Sequence, residues 1–259
     1  MKNAIKCCSV VFFAMALLAQ GPPPGRMMHG GGGPWGAFMG AGPASGTPVT
    51  GAPYTAVQTT TFQETLANGT TITRQNETKI SRDSSGRVRL ERSFTPPGSA
   101  NARTSVVIYD PVAATVSVLE PAKQTAFSRA LPSQDAVQHV RGQGHSRPGE
   151  TVNTENLGTQ VINGLSATGT RTTTTIAAGT MGNSQALQRV HEVWLSTDLK
   201  VPVMIKNIDP MNGNTVTQLT NIARSEPDGS LFQIPSNYTV KTQAQGMRGH
   251  RGGPPPAQQ

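Results

Sequence analysis

The chain has 259 residues, a formal charge of +8 and only two cysteines, Cys7 and Cys8. Both precede an apolar run that reads as a targeting segment, so the mature chain has no thiol, which excludes disulfides, thiol catalysis and thiolate metal sites. Positive charge is spread over Arg82, Arg87, Arg89, Arg92, Arg103, Arg129, Arg141, Arg147 and Arg171, and aromatics make up 5% of the residues. That pattern suits a solvated basic face and argues against a nucleic-acid partner.

In chain order, Lys2 and Lys6 give a positive start, and Val10 to Ala19 is apolar over a length that suits a signal peptide better than a membrane span. Cleavage after Ala19 makes residues 1–19 the signal peptide and the protein exported, to the periplasm or beyond. No later stretch is apolar enough for a transmembrane helix. Residues 20–53 form a Gly/Pro tract with isolated apolar residues such as Trp35 and Phe38, and residues 243–259 repeat the style. Neither tract can bury enough surface to offset its ordering entropy, so both read as disordered tethers around a β-rich domain at 54–242.

Within that domain, short segments rich in Thr, Val and Ile alternate with turn chemistry. Strands are expected over 55–66 and 70–81, joined through Asn68-Gly69, then over 86–94 after Asp83-Ser84-Ser85-Gly86. Further strands fall at 105–109 and 115–119 around Asp110-Pro111, and at 124–130. The rhythm breaks from Leu131 to Thr154, where Ser133 and Asp135 suit the start of a short helix through Val140 and Arg141 to Gly149 reads as a loop. It resumes at 156–162 and 166–176, the second nearly all β-branched, around Asn163-Gly164. At 187–195 helix and strand compete, and Val190, Val193 and Trp194 favour the strand. A hairpin over 201–208 and 214–224 follows, then strands at 231–235 and 238–240. The fold class implied is mainly β: a curved antiparallel meander sheet or half-barrel of about a dozen strands, with few short helices.

Reaction chemistry is not legible. There is no Gly-x-Ser-x-Gly elbow to use one of the histidines His29, His139, His145, His191 or His250, and no Gly loop leads into a Lys-Ser/Thr. His139 and His145 stand six positions apart without the spacing of a zinc site. Met27, Met28, His29, Met39, Met247 and His250 in the tracts have copper-compatible donors, but their irregular spacing reads as linker. Asp83, Asp110, Asp198, Asp209 and Asp228 fall in turns, where Asp bonds its own backbone. No catalytic residue, metal or cofactor is assigned.

Tyr109-Asp110-Pro111, Asn156 to Gly164, Gly169 to Ile176, Asp209-Pro210 and Glu226 to Val240 together resemble a group of uncharacterised exported bacterial β-rich proteins. The closing Leu231-Phe232-Gln233-Ile234-Pro235-Ser236-Asn237-Tyr238 is more distantly similar to the ends of periplasmic half-barrel proteins related to lipoprotein carriers. That resemblance implies a sheet curved around a plug and, in some members, a cavity for acyl chains. Here a Gly/Pro tract stands where those proteins have an amphipathic N-terminal helix. The expectation is a non-catalytic exported binding module for a lipid, another hydrophobic ligand or an envelope partner, its apolar lining drawn from Val88, Leu90, Val107, Val161, Ile176, Trp194, Ile205 and Phe232. The alternative is an envelope-associated scaffold held by its tails.

Overall fold

The computed structural model describes residues 48–95, 100–131 and 148–242. The expected targeting segment, the first Gly/Pro tract up to residue 47, all of the second, the helix expected from Ser133 to Val140 and the loop as far as Arg147 lie outside the described residues. Twelve strands form one open sheet: β1 Tyr54–Thr65, β2 Thr71–Arg82, β3 Val88–Phe94, β4 Arg103–Asp110, β5 Thr115–Glu120, β6 Thr125–Ala130, β7 Glu150–Ile162, β8 Leu165–Ile176, β9 Leu187–Ser196, β10 Pro202–Asp209, β11 Gly213–Ala223 and β12 Thr239–Thr242. Across the sheet the order is β12-β6-β5-β4-β3-β2-β1-β11-β10-β9-β8-β7. The expected mainly-β class is the one observed. Two meanders, β1–β6 and β7–β11, are joined where β1 pairs with β11.

Two departures from a plain antiparallel meander come at the end of the chain. The segment expected as a strand at 231–235 is instead part of a 3₁₀ turn, Gly229–Phe232, opened by Asp228, whose Oδ1 accepts from the Ser230 N–H at 2.8 Å. Pro235 has no N–H to give a ladder. The final strand, β12, pairs with β6 in parallel. A third difference is the start of β7 at Glu150, where 156 was expected. Thr151, Val152 and Thr154 find β-branched or Thr partners in Thr175, Thr174 and Thr172 of β8, which outweighs the poor strand propensity of Asn153 and Glu155.

Turn chemistry explains the hairpins locally. Asn163 and Gly164 both have positive φ, 49° and 82°, the paired left-handed geometry of a two-residue hairpin turn. Asn68-Gly69 behaves differently: β1 ends at Thr65 and β2 starts at Thr71, and the Asn68 Oδ1 accepts from the Thr70 N–H at 3.0 Å across a longer loop.

Two hydrogen bonds show how strongly the sheet curls. Asn163, in the β7–β8 turn, donates its Nδ2 to the Leu219 carbonyl of β11 at 2.6 Å. Arg82, at the end of β2, donates its Nη2 to the Leu199 carbonyl in the β9–β10 turn at 2.6 Å. Each pair spans three steps of the sheet order, roughly 14 Å in a flat sheet at about 4.8 Å per strand. Side chains bridge that span only if the sheet and its hairpins bend towards a common concave side.

The bend gives two apolar clusters. The larger joins Tyr54, Ile80, Val88, Leu90 and Tyr109 from one half of the sheet with Leu165, Trp194, Val201, Val203 and Leu219 from the other. The smaller lies under the C-terminal segment, where Phe232 packs with Val106, Ile108, Leu119 and Ala126. Arg87 stands 5.0 Å from the Phe232 ring and the Arg89 Nη1 donates to the Leu231 carbonyl at 3.1 Å. Val106 and Ile108 alternate with Val107 and Tyr109 along β4, so the two clusters occupy opposite faces of that strand.

Candidate functional site

Strand alternation puts the chemistry of the larger cluster on one face. Along β2, Thr78, Ile80 and Arg82 are buried while Glu77 and Lys79 are exposed. Arg82 is fully buried, and its guanidinium lies 4.8 Å from the ring of Tyr54. Its Nε and Nη2 donate to the Ala52 carbonyl at 3.0 and 2.7 Å, and Nη2 also reaches Leu199. Nη1 is buried without a hydrogen-bond partner. This side chain therefore ties together the chain entry before β1, the end of β2 and the β9–β10 turn. Burial pulls its pKa below the usual arginine value, with Tyr54 opposing.

Tyr54 itself is buried, and burial pushes its hydroxyl up to about 12 while the Arg82 charge pulls the other way. The neutral phenol is the folded-state form. An acid whose folded pKa is raised gives stability that is whole below its unfolded value of about 10 and is lost as pH rises through the folded one. Absorbance titration should show Tyr54 ionising only as the protein unfolds in alkali, and Tyr54→Phe should blunt the loss of stability between about pH 10 and pH 12. Ionisation of every tyrosine near the ordinary value of about 10 in folded protein would contradict this.

On the other half, Trp194 of β9 lies against Gly169 of β8: a Cβ there would come 2.7 Å from the Trp194 Cη2 and Cζ3. Gly169 and Trp194 are direct cross-strand partners, so the missing side chain is the space the indole fills. The indole Nε1 donates to the Glu192 Oε1 at 2.7 Å, and Arg171 donates to Oε2 through Nε at 3.2 Å and Nη2 at 2.9 Å. Lys206 stands 3.4 Å away. Burial raises the pKa of Glu192, but the Trp194 and Arg171 hydrogen bonds and the Lys206 charge outweigh it and hold the carboxyl below the usual value.

A depressed carboxylate gives stability that is present above its unfolded pKa, about 4.3, and is lost as pH falls through the folded value. Glu192→Gln should therefore lower the urea midpoint at neutral pH and lose less than the parent on going to about pH 3. An equal loss in both proteins would remove Glu192 as an acid-sensitive support.

The eight residues expected to line an apolar site are scattered by the structure. Val88, Leu90 and Trp194 are in the larger cluster, and Val107 packs against it half-buried. Ile176 is buried, but neither cluster includes it, and Ile205 is half-buried. Phe232 belongs to the smaller cluster under the C-terminal segment. Val161 is 75% exposed, since it alternates away from Ile162, which packs on the larger cluster. Sequence reasoning missed Tyr54, Arg82 and Glu192. The signal for Arg82 was its parity with Ile80, which overrides the usual expectation that arginine is exposed.

Around the larger cluster, Val107, Leu131, Leu157, Ile162, Met204 and Ile222 form a half-buried apolar rim drawn from both halves of the sheet. The face can thus offer apolar contact over a bed whose charged groups are mostly hydrogen-bonded. Among the described residues no group of three or more His, Cys, Asp or Glu side chains could hold a metal, and no helix is long and apolar enough to cross a membrane. The histidine pair His139 and His145 lies outside the described residues, as do the histidines and methionines of the two tracts.

No family model matches the chain, nor does any curated protein. Solved structures give distant likenesses. The MucB chain solved in complex with MucA(peri) is 14% identical, with 75% of this chain and 57% of that chain covered and a TM-score of 0.36. The Mycobacterium tuberculosis lipoprotein LppX is 18% identical over 68% of this chain and 90% of its own, with a TM-score of 0.31. A LolA superfamily protein from Nitrosomonas europaea is 6% identical over 72% and 92%, with a TM-score of 0.27. The chain spans less than two thirds of the MucB chains it matches, 57% and 62%. Lipoproteins and a LolA superfamily protein are thus among its structural neighbours.

Proposed function

We propose that the chain is a non-catalytic exported binding module whose concave face takes an apolar ligand, an acyl chain in the first instance, or an apolar segment of an envelope partner. The observation that carries this reading is the half-buried rim of Val107, Leu131, Leu157, Ile162, Met204 and Ile222 around the buried bed of Tyr54, Leu90 and Trp194. Apolar side chains that the fold gathers without fully covering are a favourable surface for a hydrophobic occupant, at about 25 cal/mol for each Å² removed from water. The bed is already filled by indole and phenol rings, so the occupant lies on the rim and needs no preformed void. Export fits the Lys2/Lys6 start and apolar run of the leader.

Trp194 reports on this face directly. In a Trp35→Phe background it is the one remaining tryptophan, because the chain has two. Titration with a fatty acid brominated along its chain should quench Trp194 emission saturably, and Met204→Glu should weaken the quenching at least tenfold. An unquenched indole at saturating brominated lipid would sink the acyl version of the reading.

A further inference from the structure

On the opposite face of the sheet from Trp194, strands β7 to β10 form an open trough of about 420 Å³. Arg189 and His191 line it, and both alternate with Glu192 and Trp194 along β9, so the trough and the concave bed lie back to back. Its volume is within the range of small-molecule sites.

The charges of the trough are mostly engaged, although the Arg189 Nε is buried without a hydrogen-bond partner. The Arg189 Nη2 pairs with the Glu150 Oε1 at 3.0 Å. Asp209 uses Oδ1 to accept from the Met211 N–H and Oδ2 to accept from the Asn212 Nδ2, each at 2.8 Å. An anion would meet Glu150 and Asp209, and a cation would meet Arg189. Apart from the Arg189 Nε, what remains for an occupant is neutral. Thr172 and Thr174 stand on β8, cross-strand from His191 and Arg189, the Thr172 hydroxyl 3.4 Å from that of Thr154 and able to make a second bond. The His191 Nδ1 donates to the Asn207 Oδ1 at 2.6 Å, a contact that does not use the other ring nitrogen or the Asn207 Nδ2. Beside these groups, Val152 is 53% exposed and lines the same trough, while Ile208, cross-strand from Val190, turns its side chain to the Trp194 face.

We infer that this trough binds a neutral sugar ring, with the Thr172 and Thr174 hydroxyls, His191 and Asn207 bonding its hydroxyls and Val152 receiving its C–H face. A pyranose pairs dense hydroxyls with an apolar ring face, which matches these groups, and a ring hydroxyl can also accept from the Arg189 Nε. Hydroxyl-to-hydroxyl bonding also suits a β-sheet face, where partners repeat at fixed strand spacing. The site is independent of the concave-face reading: either can stand without the other.

Saturation-transfer NMR on the full chain with maltose, cellobiose and N,N′-diacetylchitobiose as separate probes tests it. At least one should receive transfer, and Thr172→Val with Thr174→Val should weaken its binding at least tenfold. Valine is nearly isosteric with threonine and keeps the strand preference, so the variant should fold. Asn207→Ala should give a similar loss, while Thr159→Val, which removes the hydroxyl paired with Thr168 outside the trough, should leave binding unchanged. Transfer to none of the three sugars, or transfer untouched by the valine and Asn207→Ala variants, would overturn the inference. So would stronger, salt-sensitive binding of an oligogalacturonate, since that would make the site one for an anion.

Discussion

Arg82→Ala should destabilise the fold by about 4 kcal/mol, read as a fall in urea midpoint. Three donated hydrogen bonds vanish, leaving the Ala52 and Leu199 carbonyls without them, at about 1–3 kcal/mol for each group left unsatisfied. The contact with the Tyr54 ring goes too, worth about 2 kcal/mol when desolvated. A cavity opens where a fully buried long side chain stood. One effect runs the other way: the variant no longer buries a guanidinium whose Nη1 has no partner, a relief of several kcal/mol for an uncompensated ion. Arg82→Met separates these contributions, because it keeps most of the volume and removes the charge. It should cost about 2 kcal/mol, half the alanine value. A methionine variant more stable than the parent would mean that burying the charge outweighs everything the latch holds.

Gly169→Ala should cost about 3 kcal/mol and move Trp194 emission to longer wavelength. The added methyl would meet three indole carbons at 2.7–2.8 Å, well inside ordinary contact. The ring has little room to yield, since Trp194 is 6% exposed and bonded to Glu192. Overpacking of this kind typically costs about 1–3 kcal/mol, and loss of the indole donor to a buried carboxylate adds to it. Gly229→Ala is the control: nothing stands within 4 Å of the place a methyl would take there and its φ is ordinary, so stability should hold. If Gly169→Ala leaves both emission and midpoint unchanged, the indole is not wedged against β8.

The sheet was legible because its signals are local. Alternation along 86–94 and the β-branched run in 170–176 need no knowledge of the rest of the chain. Asn163-Gly164 likewise sets its own turn, and the strands on both sides follow from it. The pairing of β1 with β11 and the parallel docking of β12 are long-range choices that no local pattern encodes. The same distinction explains the site. Val88, Leu90 and Trp194 are inward apolar residues of clear alternating strands, and all three lie in the larger cluster. Phe232 is as apolar as they are, but the turn at Asp228 carries it to the other face, where Arg87 meets its ring. Arg82 and Glu192 were hidden by their charge: composition argues for the surface, and only the parity of each strand and the curl of the whole sheet put them inside.

Gly169 shows the limit most clearly. Its segment carries part of the resemblance to a group of exported proteins, yet the reason for a glycine there is the Trp194 indole, distant in sequence and one strand away in space. Sequence spacing does not reveal such a contact until the register of β8 and β9 is known.

Native mass spectrometry of the full chain, produced with export, shows whether the concave face holds an apolar occupant. The expected result is a protein mass carrying an additional amphiphile that denaturation releases and lipid analysis identifies, with Met204→Glu arriving empty. A protein that arrives only as the bare chain, and that neither takes up added acyl chains nor changes its Trp194 emission with them, would contradict it.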